Sequence, residues 1–390
     1  MATPDGERRA VPSEPEQITG SRQGRRTAVT PAPGAGEGGW GGKNSRSYLS
    51  LYSAVAYTLL AIYASLYPFS GWRDTGAPLT AYLTGGWPRY TTAFDLALNV
   101  GAYAPLGFIW VAALRHRCSA SLSVILAIVI GCALSLAMET LQNFLPSRVA
   151  SNLDLGSNVL GTVLGALAGA RWGGTLLDGG RLHALRLRLF HTGTLADGGL
   201  VLLWLWLLTQ FNPDILLFGN GDLRDLLELE TPLSYSASMF SQLEAVVVAA
   251  HILALSLLVG VLARGARWLA PTFVLLALVA KTFAFTLLTN SLDGFAWATP
   301  GSTLGLGLGL GGWLAASFLP ARFQQALAAM ALLLAVTLVN LAPENPYLAN
   351  TWQTWNPGQF LNFHGLTRLV SSLWPFLALP WLMLFRPRTP

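Results

Sequence analysis

Carboxylate and amide side chains recur at helical spacing in the first half of an otherwise apolar chain. Three such pairs occur, which are Asp95 with Asn99, Glu139 with Gln142, and Asp154 with Asn158. The members of each pair are three or four residues apart, so each pair lies on one face of a helix. Carboxylates and amides so placed can bind the polar groups of a ligand, and a carboxylate can also act as a general base. Glu139 and Asp154 are the candidates for a catalytic role, although the sequence leaves any reaction unknown.

The elements that position these pairs are long apolar segments. Hydrophobic residues make up 53% of the 390 residues, charged residues make up 11%, and the mean hydropathy is +0.48. Soluble proteins are about 25% charged, so this composition excludes a soluble enzyme, a secreted disulfide scaffold and a nucleic-acid-binding protein. Ten stretches approach the roughly 20 apolar residues that cross a bilayer, at 48–69, 95–114, 119–139, 155–172, 200–218, 243–262, 269–289, 301–319, 326–341 and 366–385. We therefore predict an all-α, polytopic membrane bundle of about ten transmembrane helices.

The basic residues indicate how this bundle is oriented. If both termini are cytoplasmic, most of the 24 lysines and arginines fall on the cytoplasmic side, as the positive-inside rule requires. We therefore expect a multi-pass protein of the cytoplasmic membrane with both termini inside.

In this orientation the three polar pairs and Arg148 come to about the same depth, near the outer surface. Consecutive helices joined by short loops are usually neighbours, and a carboxylate at the bilayer edge needs a partner. We predict an outward-facing, substrate-binding polar pocket formed by Asp95, Asn99, Glu139, Gln142, Arg148, Asp154 and Asn158. Two alternatives stay open, because Asp95 and Asp154 can cap helix N-termini and Arg148 can pair with Glu139 merely to fix a loop.

The same residues resemble the VanZ-like family of bacterial membrane proteins. The matching motifs are E-x-x-Q-x-F-x-P-x-R, from Glu139 to Arg148, and D-x-x-x-N-x-x-G, from Asp154 to Gly161, after five intervening residues. Further matches are Asp95, Asn99, Pro105 to Phe108, and Gly165. The resemblance covers about residues 48–172 and implies a bacterial inner membrane and a cell-envelope role. Because the family's founding member is associated with resistance to the glycopeptide teicoplanin, it also implies antibiotic resistance, with a lipid-linked or glycopeptide-type headgroup as the group bound or modified.

The chain divides into four parts. Residues 1–47 are rich in Gly, Pro, Arg and Glu, which predicts a disordered cytoplasmic tail. Residues 48–172 form the VanZ-like four-helix membrane domain, and residues 200–390 form a second membrane domain of about six helices. The linker between them, residues 173–199, contains the basic amphipathic stretch 181–190, which we expect to lie on the cytoplasmic membrane surface.

Three ionisable residues in the second half form another candidate site. Lys281 lies well inside a predicted span, and an ionisable residue there is a functional hypothesis by default. His251 lies at the same expected depth on the preceding span, and Glu244 is seven residues, or two turns, earlier on that span. The sequence therefore predicts a Glu244–His251–Lys281 group, with buried contacts that only fix helix packing as the alternative.

Three classes of function remain open. The first is an envelope protein whose outward pocket binds or modifies a headgroup, and whether it is an enzyme stays undecided. The second is a transporter or lipid flippase, and the third is an envelope scaffold that uses the acidic loop between the fifth and sixth spans. No metal or nucleotide motif is present, so we expect no cofactor. The expected partners are membrane lipids and, through the resemblance, a lipid-linked envelope precursor or a glycopeptide, but no nucleic acid.

Overall fold

Thirteen α-helices make up most of the described part of the chain. The computed structural model describes residues 47–74, 76, 78–86, 92–176, 180–229, 233–288, 293–343 and 357–387, so the predicted tail lies outside them apart from Ser47. Ten long helices correspond one to one with the ten apolar stretches: α1 (Leu49–Leu66), α3 (Ala93–Leu114), α4 (Ala120–Gln142), α5 (Asn152–Leu176), α7 (Thr194–Thr209), α9 (Ala237–Leu262), α10 (Leu269–Leu288), α11 (Pro300–Ala316), α12 (Ala321–Leu341) and α13 (Pro357–Leu384). Three short helices, α2 (Ala81–Thr84), α6 (Arg181–Leu189) and α8 (Arg224–Leu227), lie between them. The predicted all-α membrane bundle is confirmed.

The helices differ in length. Among the described residues, eight helices are long and apolar enough to cross a membrane. The other two long helices, α7 and α11, have 16 and 17 residues. At 1.5 Å per residue each is about 25 Å long, somewhat shorter than the roughly 30 Å hydrocarbon core of a bilayer.

The fifth apolar stretch folds differently from its prediction. We predicted a span at 200–218, but α7 ends at Thr209 and residues 210–221 form a largely buried loop. Hydropathy alone cannot separate a buried loop from a helix, because both hide apolar side chains such as Phe218. Pro213 explains the break, since a proline disfavours helical backbone at the residue before it.

Polar side chains at three helix N-termini determine where the site helices begin. The Thr92 hydroxyl accepts a hydrogen bond from the backbone N–H of Asp95, whose carboxylate accepts from the backbone N–H of Thr92, at 3.2 and 2.9 Å. Ser119 caps α4, and the Ser151 hydroxyl accepts from two N–H groups in the first turn of α5. Such caps satisfy first-turn N–H groups that have no partner within the helix.

Helices α3 and α5 cross at close range because glycines remove side chains from their contact. A Cβ atom added to Gly165 would overlap the carbonyl oxygen of Ala104, and one added to Gly161 would overlap that of Val100. Helix α4 packs against both α3 and α5. This three-helix packing brings the predicted polar faces together.

The second half is built around α9, most of whose side chains are buried. Helices α7, α10, α11 and α12 pack against α9, and α13 packs against α7 and α12. Helix α1 contacts α3 and α4 on one side and α7 and α13 on the other. Residues 45–390 consequently form one compact unit.

Candidate polar site between helices α3, α4 and α5

Asn99 and Asp154 make the first direct contact between predicted site residues. The Asn99 side-chain amide donates a hydrogen bond of 2.9 Å to Oδ1 of Asp154. The bond joins α3 to the first turn of α5, and both residues are half-buried. A carboxylate that accepts one hydrogen bond from a neutral amide can still accept further hydrogen bonds.

Glu139 is the most buried carboxylate of the group. Only 3% of the residue is exposed, and its Oε2 accepts a hydrogen bond of 2.9 Å from the backbone N–H of Ser151. Ser151 is the same residue whose hydroxyl caps α5, so one residue ties the end of α4 to the start of α5. The contact orients Glu139 between the three helices.

Asn158 and Tyr103 carry buried polar atoms that are not satisfied. The Asn158 amide donates to the Ser135 hydroxyl at 3.0 Å, but its Oδ1 has no hydrogen-bond partner among the described residues. The Tyr103 hydroxyl makes no hydrogen bond of standard geometry to a described residue either, although the hydroxyls of Ser65 and Ser135 and the Glu139 carboxylate lie near it. Both residues are 5% exposed. A buried polar atom without a partner costs about 1–3 kcal/mol, so such atoms need an explanation.

We call the set of residues that these contacts link the polar centre. It comprises Asn99, Tyr103, Ser135, Glu139, Ser151, Asp154 and Asn158. Sequence reasoning missed Tyr103, Ser135 and Ser151. Helical spacing would have found two of them, because Tyr103 is four residues after Asn99 and Ser135 is four residues before Glu139.

Asp95 lies at the edge of the polar centre and acts as a helix cap. Its Oδ2 accepts hydrogen bonds from the backbone N–H and the hydroxyl of Thr92, at 2.9 and 2.7 Å. The capping alternative therefore holds for Asp95. Its charge is still close enough to Asp154 for the two carboxylates to repel one another.

Arg148 and Gln142 contact other parts of the protein. The Arg148 guanidinium donates twice to the carbonyl oxygen of Tyr67, at 3.0 and 2.5 Å, and also to the side chain of Asn362. Gln142 donates to the carbonyl oxygen of Ser65 at 2.9 Å. Burial lowers the pKa of the Arg148 guanidinium, which nevertheless stays charged as arginines do in proteins. These two residues hold the end of α4 and the following loop against the end of α1.

The polar centre and its edge hold three carboxylates without a compensating cation. No ion pair joins Asp95, Glu139 or Asp154 to a lysine or arginine within the described ranges. The alternative in which Arg148 pairs with Glu139 to fix a loop is not what the structure shows, because the guanidinium donates to Tyr67 and Asn362. The centre therefore presents acceptor oxygens to any group that enters it.

The predicted Glu244–His251–Lys281 group does not come together through contacts. Glu244 accepts a hydrogen bond of 2.6 Å from the Thr299 hydroxyl. His251 bonds to backbone atoms, with Nε2 accepting from the N–H of Asn220 at 3.0 Å. The Lys281 ammonium, on a residue only 1% exposed, donates to the carbonyl oxygens of Asn212 and Ile215.

Lys281 instead lies near a pair of residues that the sequence did not single out as a site. The Asp214 carboxylate is 2.6 Å from Nε2 of His364, and its charge acts on Lys281. Asp214 lies in the buried loop after α7 and His364 lies on α13, more than 100 residues apart in sequence. That separation explains why spacing along the chain did not reveal them. In the described part of the chain, no three His, Cys, Asp or Glu side chains are grouped to hold a metal ion.

Comparison with known proteins agrees with the resemblance in the first half. A family model described as VanZ/LLP1 matches residues 42–172. No curated protein and no solved structure matches the chain. The matched range contains every residue of the polar centre as well as Asp95, Gln142 and Arg148. Residues 42–172, about a third of the chain, are therefore similar to the VanZ/LLP1 family.

Proposed function

We propose that the polar centre binds an amine or hydroxyl group of a lipid-linked or glycopeptide-type headgroup, and that the protein acts in the bacterial cell envelope. The observation that carries this proposal is the pair of unsatisfied atoms, the Tyr103 hydroxyl and Oδ1 of Asn158. A protein that used these residues only for packing would gain stability by pairing or removing them. A ligand that forms hydrogen bonds with these two atoms would explain why the protein keeps them.

The charge of the site favours a ligand group that donates hydrogen bonds. Glu139 and Asp154 each accept one hydrogen bond from the protein, and each carboxylate can accept several more. No lysine or arginine of the described residues pairs with them, so their oxygens favour ammonium and hydroxyl donors over a phosphate, which would add negative charge. Amino sugars, peptide amines and sugar hydroxyls have this chemistry.

Arg148 has a positioning role in this proposal. The sequence analysis placed it in the substrate-binding pocket, but its N–H groups donate to the Tyr67 carbonyl and the Asn362 side chain. The recognition is therefore assigned to Asn99, Tyr103, Glu139, Asp154 and Asn158. Glu139 is the central acceptor and the residue to be changed first.

The test compares two buried glutamates of the same chain. Glu139→Gln keeps the size of the side chain but replaces one carboxylate oxygen with an amide donor, so it removes an acceptor from the polar centre. Glu244→Gln makes the same change in the second half, where the carboxylate accepts from Thr299. Teicoplanin susceptibility of cells expressing each variant, and binding of teicoplanin to the purified proteins, are measured at matched protein levels.

We expect the Glu139→Gln variant to fold, to lose any resistance that the wild-type chain confers, and to bind teicoplanin about tenfold more weakly, as expected for one lost charged hydrogen bond. The Glu244→Gln variant should behave as the wild type. Equal behaviour of the two variants, or no binding by the wild type of either teicoplanin or a polyisoprenyl-linked disaccharide, would contradict the proposal.

A transporter or lipid flippase is the second candidate, and the buried Lys281, Asp214 and His364 favour it. Ionisable residues buried at membrane depth often mark transport pathways. Lys281→Met should then abolish substrate flux in vesicles while Glu139→Gln does not. If lipid transfer between leaflets is the same with and without the protein, this candidate is excluded.

A further inference from the structure

A cavity of about 1050 Å³ lies where α6 leads into α7 and α9 leads into α10. Its walls come from the start of α7, the C-terminal ends of α9 and α13, and the start of α12. Three basic side chains line it, those of His191, Arg264 and Arg386, and no Asp or Glu is among its lining residues. The volume is at the upper end of the range for sites that hold small molecules.

A short backbone bridge holds two of these basic residues at the cavity. The N–H of His191 donates to the carbonyl oxygen of Leu262 at 3.0 Å, and the N–H of Arg264 donates to that of Leu189 at 2.8 Å. The two segments form an isolated antiparallel bridge that joins the linker before α7 to the turn after α9. The His191 ring also packs edge-on against Phe385, with ring centres 6.1 Å apart.

The nearest carboxylate in the sequence does not neutralise the cavity. Asp197 is fully buried and is bound by Arg186, by the Ser47 hydroxyl and by the backbone N–H of Tyr48. Its charge is therefore compensated outside the cavity. The pKa of His191 is lowered mainly by burial and secondly by the positive charge of Arg264. The guanidinium of Arg264 is therefore close enough to act on the imidazole.

Helix α7 begins in the wall of this cavity. Its N-cap is Gly193, at φ +124°, and no side chain caps its first turn. Thr194, Leu195 and Ala196 belong to the cavity lining. The first N–H groups of a helix lack partners within it and, together with the helix dipole, bind anions.

We propose that this cavity binds the headgroup of an anionic phospholipid. The phosphate lies against the first turn of α7 and is bound by Arg264 and Arg386, while Leu195 and Val261 contact the start of the acyl chains. The two arginines donate hydrogen bonds only to backbone carbonyls among the described residues, which leaves further N–H groups for a ligand. The expected concentration of basic residues at the cytoplasmic surface suits anionic lipids of that leaflet. This inference is independent of the polar centre.

The test measures the binding of phosphatidylglycerol and phosphatidylcholine to the purified full chain by native mass spectrometry. The first variant is R264Q/R386Q. Its control is R267Q/R322Q, which removes the same charge from the α9–α10 turn and the start of α12. The guanidinium groups of these two arginines lie over the rings of Phe318 and Phe323, respectively, and neither arginine lines the cavity. The single change R386Q affects a side chain that bonds only within its own segment and so tests the site without loss of the fold.

We expect the wild type to prefer phosphatidylglycerol over phosphatidylcholine. R264Q/R386Q should weaken phosphatidylglycerol binding about thirtyfold, and R386Q alone about fivefold. Glycerol 3-phosphate should not displace the lipid, because it lacks acyl chains. An equal loss in the control variant, an absent preference for the anionic lipid, or full displacement by glycerol 3-phosphate would overturn the proposal.

Discussion

The Asn99 amide of α3 donates a hydrogen bond of 2.9 Å to the Asp154 carboxylate of α5, across the glycine-lined contact of these two helices. The bond connects two residues that are 55 positions apart, and it lies at the end of the glycine-lined crossing of α3 and α5. It fixes the carboxylate beside Ser151 and opposite Glu139. A site with two carboxylates can form only if this crossing forms.

The first prediction is that Asn99 and Asp154 are energetically coupled. A double-mutant cycle with Asn99→Ala and Asp154→Ala should give a coupling free energy of about 1.5–3 kcal/mol, the range for a hydrogen bond to a charged group. The unfolding free energy of each variant in detergent is the measurement. Coupling near zero would show that the two side chains do not bond in the folded protein.

The second prediction concerns the crossing itself. Gly165→Ala places a Cβ atom on the carbonyl oxygen of Ala104, so it should destabilise the protein by about 1–3 kcal/mol or prevent folding. Gly156→Ala is the control on the same helix, because a Cβ atom there meets no other atom within 4 Å. The control should be neutral or slightly stabilising, since alanine favours helix over glycine. Similar unfolding temperatures for the two variants would contradict this packing.

The third prediction separates the role of Arg148 from ligand recognition. Arg148→Ala leaves the Tyr67 carbonyl and the Asn362 side chain without their donor, so we expect a loss of stability of about 1–3 kcal/mol. The affinity of the folded fraction for the ligand should stay within about twofold of the wild type, because the guanidinium donates none of its bonds to the polar centre. Unchanged stability with abolished binding would restore Arg148 as a ligand-binding residue.

Sequence reasoning identified the helices and the polar faces of α3 and α5 because both depend on local patterns. Each of the ten apolar stretches overlaps one long helix, although the helix of the fifth stretch ends early at Thr209, and the four-residue spacing placed Asn99 and Asp154 where they meet. The sequence could not predict hydrogen-bond partners that are brought together only by the three-dimensional packing of the helices. Arg148 was expected near Glu139, only nine residues away, but it bonds to Asn362, which is 214 positions away. Lys281 was expected near His251, but it bonds to the loop after α7 because that loop is folded into the protein, where hydropathy predicted a helix.

The central claim, that the polar centre holds a ligand, is tested most directly by removing one oxygen atom. Tyr103→Phe deletes a buried hydroxyl that makes no hydrogen bond of standard geometry with the described residues, whereas Tyr57→Phe deletes a hydroxyl that donates to the carbonyl oxygen of Ala102 at 2.8 Å. Unfolding free energy and teicoplanin affinity are measured for both variants.

For Tyr103→Phe we predict unchanged or higher stability together with about tenfold weaker binding, because the hydroxyl costs the free protein and serves only the ligand. For Tyr57→Phe we predict a loss of about 0.5–1.5 kcal/mol with binding unchanged. If Tyr103→Phe destabilises the protein as Tyr57→Phe does and leaves teicoplanin binding intact, the hydroxyl is structural and the account of the polar centre is wrong.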